Sequence, residues 1–205
     1  MFRDITRDDV YRIETQRLWL RWPKNNDAKD IADHLGDNRI AEMTGRIKHP
    51  YARSDAEAYI FSARNSNSDG HGIALVIAPK PRPNAVIGAI ALTREPNDAG
   101  ELPTHELTLG YWIGVPHWGQ GFASEAVLAL LSTGFTLTSA EQIIATVKPE
   151  NTASKRVLAK AGFVETGRET RFMPARNRDE DVDCYALTRK AWRDGASWSA
   201  YGAAA

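Results

Sequence analysis

The chain has a single cysteine, Cys184, so no intrachain disulfide can staple it. No apolar run approaches the roughly 18 residues that would span a bilayer. The opening Met1-Phe2-Arg3-Asp4 also lacks the apolar segment of a secretory leader. Neither sign of charge is in excess, because 26 basic residues balance 26 acidic ones. Nothing in that balance calls for nucleic acid or an anionic membrane surface. The five histidines (His34, His49, His71, His105, His117) lack metal-ligand spacing and read as surface residues. No repeat or low-complexity tract occurs. What remains is a cytoplasmic globular protein of 205 residues, 42% hydrophobic, enough for one domain with a real core.

The stretch from Leu107 to Phe135 organises the chain. Leu107, Leu109, Tyr111, Ile113 and Val115 fall at every second position and share one face of a strand. Pro116 ends that strand. Gly119 and Gly121 then permit a tight turn, after which Ala123, Ala126, Val127, Leu130, Leu131 and Gly134 recur at helical spacing. A helix that opens on such a turn presents unpaired N–H groups and the positive end of its dipole, a seat for phosphate. A dinucleotide fingerprint fits poorly: Ser124 stands at the third glycine, and the next strand ends in Lys148-Pro149 rather than an acid. No Gly-Lys-Ser/Thr follows, which excludes a P-loop.

Arg17 to Trp22 alternates as a first strand stopped by Pro23. Asn25 or Asn26 can cap a helix running to Leu35, with Gly36 at its end. Ser54-Asp-Ala-Glu57 has the spacing of a capping box for a second helix, with Ala58, Phe61 and Ile60 as its inner residues. Asn65 to Gly72 reads as a polar turn. Strands at Ile73–Ile77 and Val86–Leu92 form an antiparallel pair, and Thr93 to Thr104 is a loop. A strand at Ile143–Val147 and a helix at Asn151–Ala161 follow, then closing strands at Phe163–Glu169 and Val182–Leu187. The last dozen residues read as a loose tail. The fold class is therefore α+β, a mixed and mostly antiparallel sheet flanked by helices, with one central βαβ crossover.

Three blocks, in order, resemble the GNAT superfamily of acyl-CoA-dependent N-acetyltransferases, and within it the ribosomal-protein N-terminal (Rim-type) branch. They are Glu14-Thr-Gln-Arg-Leu-Trp-Leu-Arg21, Leu109 to Ala126, and Val147 to Phe163. The resemblance implies one acetyltransferase domain over 1–205, with a core at about 13–187 and an extension at 188–205. It implies acetyl-CoA as acyl donor, no metal, and direct transfer to an amine, either a protein N-terminus or a small molecule. A homodimer is compatible with it. Gly121 and Ala123 match the family's Gln/Arg-x-x-Gly-x-Gly/Ala turn, and Trp118 replaces the leading Gln or Arg. The turn Trp118, Gly119, Gln120, Gly121, Phe122, Ala123 and Ser124 would then cradle the pyrophosphate. Ile113, Gly114 and Val115 would pair with the pantetheine arm as an added strand. A backbone N–H of that strand would hold the oxyanion.

Position 154 shares a helix face with Val157, Leu158 and Ala161, so Ser154 points inward, where a hydroxyl needs a partner. One reading is a bond back to the Glu150 carbonyl. The other, carried by the resemblance, is a proton donor to the departing thiolate, since Leu158 stands where many relatives have a tyrosine. Asn151 can cap that helix; by resemblance it also binds the pantetheine amide. Glu106, at the mouth of the central strand, is the candidate base, although the branch often carries its glutamate at the place of Thr108. A solvated strand-end charge is the alternative. Cys184 reads as a structural thiol. Asp8-Asp9 and Arg176 to Asp181 read as solvated loops, the latter bordering the acceptor groove by family analogy. A different class, an acyl-CoA-binding sensor without turnover, carries the same motifs.

Overall fold

The computed structural model describes residues 2–95, 103 and 105–195. Its sheet has the order β1 (Arg12–Glu14), β2 (Leu18–Arg21), β3 (Gly72–Pro79), β4 (Gly88–Thr93), β5 (Glu106–Ile113), β6 (Gln142–Val147), β8 (Arg178–Thr188), β7 (Val164–Met173). Every neighbouring pair is antiparallel except β5 and β6, which are joined through helix α4 (Phe122–Leu137). This is the mixed, mostly antiparallel α+β sheet with one central crossover that the pattern implies.

Strand β3 is apolar at almost every position because it is covered on both faces. On one face Leu20, Leu75, Ile90 and Leu109 pack against Val127, Leu130, Leu131 and Phe135 of α4. Leu158 of α5 (Thr152–Lys160) joins this cluster. On the other face Val76, Ala89 and Trp112 pack against Ile31 and Leu35 of α1 (Ala28–Leu35), Ile40 of α2 (Asn38–Glu42), and Ala56 and Ile60 of α3 (Arg53–Ser68).

Several local expectations are corrected. The first helix is capped by neither asparagine: Asn25–Asp27 is a 3₁₀ turn, and the Asp27 carboxylate accepts from the Lys24 N–H at 2.7 Å. That carboxylate also holds Arg21 in a buried two-pronged pair, both contacts 2.8 Å. Asp55, not Glu57, reaches back at the start of α3, accepting from the Ala52 N–H at 2.8 Å. Helix α3 buries Ala56, Ile60 and Ala63, while Ala58 is exposed and Phe61 is 70% exposed. The expected turn at Asn65 begins only after Ser68. Asn67, 1% exposed, donates to the Ala74 carbonyl and accepts from its N–H, so a polar helix end docks on β3. The strand at 12–14 was not expected. The segment 176–181 is the end of a tight turn and the start of β8, not a loop. Of the loop placed at Thr93 to Thr104, residues 96–102 and 104 lie outside the described residues, and Thr93 ends β4.

Past β8 the chain does not loosen at once. Helix α6 (Arg189–Asp194) is held by Arg189, which donates to the carbonyls of Phe135, Thr138 and Ala140. Trp192 stacks on Phe135 at 5.1 Å between centroids. Residues 196–205, most of the expected tail, lie outside the described residues. Among the described residues no helix is long and apolar enough to cross a membrane, and no group of metal-ligating side chains occurs.

Candidate active site

The site begins where two strands part. Strands β5 and β6 pair only over Glu106–Thr108 and Gln142–Ile144. Beyond that point β5 runs on to Ile113 without β6 beside it. On its other edge β5 stays paired with β4, and the Gly114 N–H donates to the Ile87 carbonyl at 2.8 Å. That bond makes Gly88 and Ile113 a non-hydrogen-bonded pair, so Ile113 and, two residues back, Tyr111 turn their own backbone groups away from β4. Their amides face the gap. Trp118 folds back and donates its Nε1–H to the Ile113 carbonyl at 2.6 Å, which leaves the N–H groups of Tyr111 and Ile113 as donors along the open edge.

Gly114 itself serves a different purpose from the expected one. Its amide is spent on Ile87, and a Cβ there would lie 2.4 Å from Nδ1 of His34. The glycine admits α1, whose His34 ring nitrogen Nε2 is 3.0 Å from the Val86 carbonyl oxygen. Val115 begins a 3₁₀ turn and its carbonyl accepts from the Trp118 N–H.

Gly119 and Gly121 both adopt left-handed backbone, with φ of 72° and 80°, which a side chain would strain. Helix α4 then starts without a side-chain cap. Its first backbone bond runs from the Glu125 N–H to the Gly121 carbonyl, so the amides of Phe122, Ala123 and Ser124 precede the ladder. Such amides, with the helix dipole behind them, favour an anion.

The turn is held from below by a residue that the motif alone does not explain. Glu125 is 3% exposed. Its carboxylate accepts from Thr15 Oγ1 at 2.6 Å, the Arg17 N–H at 2.7 Å and Arg17 Nε at 2.7 Å. Burial would raise its pKa, but these bonds outweigh burial and leave it lowered. Arg17 also donates from Nη1 to the Gln120 carbonyl at 3.0 Å and lies 4.7 Å over the Phe122 ring. Thr15 and Arg17, in the first of the three sequence blocks, are thus the anchor of the Gly-rich turn.

Helix α5 faces the gap from the other side. Asn151 caps it, its Oδ1 accepting from the Ser154 N–H at 3.0 Å. Ser154 does point inward. Its partner is not the Glu150 carbonyl but the hydroxyl of Tyr111, 2.8 Å away. Burial pushes the Tyr111 phenol up to about 12, with the Ser154 contact opposing. The spacing turns Ser154 inward and puts Tyr111 on the apolar face of the central strand, but a pairing 43 positions apart leaves no local signal.

A cleft of about 2180 Å³ gathers these parts. Of the expected site residues, Ile113, Trp118, Gly119, Gly121, Phe122, Ala123, Ser124, Asn151, Ser154 and Glu106 line it, whereas Gly114, Val115 and Gln120 do not. Gln120 instead donates to the Pro116 carbonyl at 3.1 Å. Glu106 sits at the closed end of the gap and accepts from Gln142 Nε2 at 2.5 Å. The far flank of the cleft includes Arg46, Tyr51, Tyr59 and Met173.

Other candidates settle differently. His34 and His117 are half-buried rather than surface residues, 5.6 Å apart between ring centroids. Burial, then the charges of His34 and Arg82, lowers the His117 pKa. The Cys184 thiol is buried, and burial followed by Glu169 raises its pKa, as suits a structural residue. Asp9 pairs with Arg64 at 2.9 Å instead of standing free. Arg176 is no solvated loop residue: it grips Glu180 with two bonds and donates from Nη1 to the carbonyls of Ala41 and Thr44. The β7–β8 turn is thereby tied to the end of α2. Glu180 also receives Arg178 and Lys148, and its pKa falls to about 2, with the Arg176 bond the largest cause.

Residues 17–164 match the family model of the acetyltransferase (GNAT) domain. The N-acetyltransferase p20 of Bacillus licheniformis, itself uncharacterized, is 29% identical over 88% of this chain and 97% of its own length. Among solved structures, Mycobacterium smegmatis RimJ in complex with a CoA-disulfide superposes with a TM-score of 0.74 at 22% identity, covering 88% of each chain. The ribosomal-protein-S5-alanine acetyltransferase of Vibrio fischeri gives 0.73 at 21% identity, covering 89% of this chain and 98% of its own.

Proposed function

The chain belongs to the GNAT acetyltransferases, and on that premise we propose that it transfers an acetyl group from acetyl-CoA directly to a primary amine, a protein N-terminus or a small molecule. The observation that carries this reading is the parted strand pair. An edge with free Tyr111 and Ile113 amides runs into a helix start with three unpaired amides, and a hydroxyl stands across the gap. An extended amide-bearing arm fits the edge as an added strand, and its pyrophosphate fits Gly119 to Ser124. Among the described residues the Asn151 amide nitrogen has no partner, which suits the same arm.

Within this reading the residues divide the work. The lone pair of the acceptor nitrogen attacks the thioester carbon, and the carbonyl electrons move to oxygen, where an N–H of the β5 edge holds them. Glu106, facing the cleft, takes the proton that nitrogen sheds. The C–S bond then breaks with its pair on sulfur, and Ser154 gives sulfur a proton. No enzyme-bound acyl group is involved, since no activated nucleophile lines the cleft among the described residues.

The test is turnover: release of free thiol from acetyl-CoA in the presence of a panel of peptides, polyamines, amino acids and aminoglycosides. Acetylation of one class is expected. Tight acetyl-CoA binding without turnover on any of them would instead identify a sensor.

A further inference from the structure

A serine hydroxyl carries one proton, and in a hydrogen-bonded pair of hydroxyls only one of the two can spend its proton on the other. Ser154 and Tyr111 are such a pair at 2.8 Å. If Ser154 donated to Tyr111, its proton would be engaged there rather than offered to a leaving group. Either hydroxyl could be the donor at this distance, and both residues line the cleft. Tyr111 is half-buried on β5 with its ring against the cluster beneath α4. Ser154 is fixed at its backbone by the Asn151 cap and lines the cleft, leaving its hydroxyl one rotor to orient. Burial raises the pKa of the Tyr111 phenol, which therefore carries a proton that it can donate.

We propose that Tyr111 is the positioning residue of the acid step: its phenol donates to Ser154 Oγ, which turns the serine proton into the cleft toward the departing sulfur. This inference rests on the reading of Ser154 as proton donor. As the C–S bond breaks, its electron pair stays on sulfur and the Ser154 proton moves to it. The negative charge developing on Oγ is met by the Tyr111 O–H bond. A proton from water restores the serine, matching the proton that the acceptor amine has lost to Glu106 and thence to water. No oxidant or further reactant is needed.

The backbone and side chain of Tyr111 then act together. Its amide lies on the open strand edge and its hydroxyl fixes the acid, so one residue aligns both ends of the breaking bond.

The experiment is a double-mutant cycle on the full chain with Tyr111→Phe, Ser154→Ala and the pair. Phenylalanine keeps the ring and its packing, and thermal melting checks that each variant is folded. Acetyl-CoA affinity by calorimetry should stay within about twofold of wild type, while kcat for Tyr111→Phe should fall by roughly 10-fold or more. Combined with Ser154→Ala, the phenylalanine should add almost nothing, because Tyr111 acts only through the serine. A Tyr111→Phe enzyme as fast as wild type beside a slow Ser154→Ala overturns this inference alone. Losses that multiply in the double variant also overturn it. If Ser154→Ala is fully active while Tyr111→Phe is slow, the phenol itself is the donor, and the reading of Ser154 falls too.

Discussion

At position 154 the hydroxyl is presented by a helix cap and oriented by a neighbour, which makes it a clean target. Removing it by Ser154→Ala deletes one atom from a half-buried site, so stability should change little. If protonation of sulfur matters to the usual degree, kcat falls about 100-fold with acetyl-CoA affinity nearly intact, measured by steady-state kinetics and calorimetry. Glu106→Gln tests charge at nearly constant shape. The rate deficit should be larger at pH 7 than at pH 9, because an α-amino group with a pKa near 8 needs a base most while it is still protonated. A deficit constant across that range would assign Glu106 to electrostatics or placement through its bond to Gln142. The inward face of Ser154 and the cap by Asn151 were legible from spacing alone. The phenol beside Ser154 was not, because residue contacts between a strand and a later helix depend on the packing of both.

The strand, turn and α4 form the element on which the site depends, and their start is fixed from a distance. Glu125→Ala would strip Thr15 and Arg17 of their shared acceptor. Arg17 is 44% exposed and can turn to water, so the expected loss is about 2–3 kcal/mol rather than more, read as a shift in urea unfolding. Acetyl-CoA affinity should fall as well, since the Gly-rich turn loses its anchor. Gly121→Val bears on the turn directly. At φ of 80° a β-branched residue is strained whatever space surrounds it, so both binding and stability should drop. Unchanged calorimetric affinity in a folded Gly121→Val protein would remove the turn from the phosphate site. The apolar stripe from Ala123 to Gly134 was read correctly because a helix lying on a sheet must alternate its burial with period 3.6. Helix α3 was misread for a related reason. Phe61 is the larger apolar residue, but Ile60 lies on the stripe with Ala56 and Ala63, and Asn67 satisfies β3 where composition alone suggested a turn.

For the whole molecule, acid is the informative variable. Glu125, Glu180 and Asp183 all have lowered pKa values in the folded chain, the last through Arg168 and Lys155. Each therefore contributes stability in full above its ordinary value, 4.5 for the glutamates and 3.8 for the aspartate, and loses it as pH falls through the folded value, about 2 for Glu180. The urea midpoint should be flat from pH 7 to about 5.5 and then decline steadily toward pH 2. A midpoint that holds or rises on acidification would contradict this. The two apolar clusters lie on opposite faces of the sheet, with α4 and α5 over one and α1, α2 and α3 over the other. Substitutions in α1, α2 and α3 would reshape one side of the cleft without disturbing the layer beneath the Gly-rich turn. On the proposed function, donor and acceptor preference could thus be altered separately.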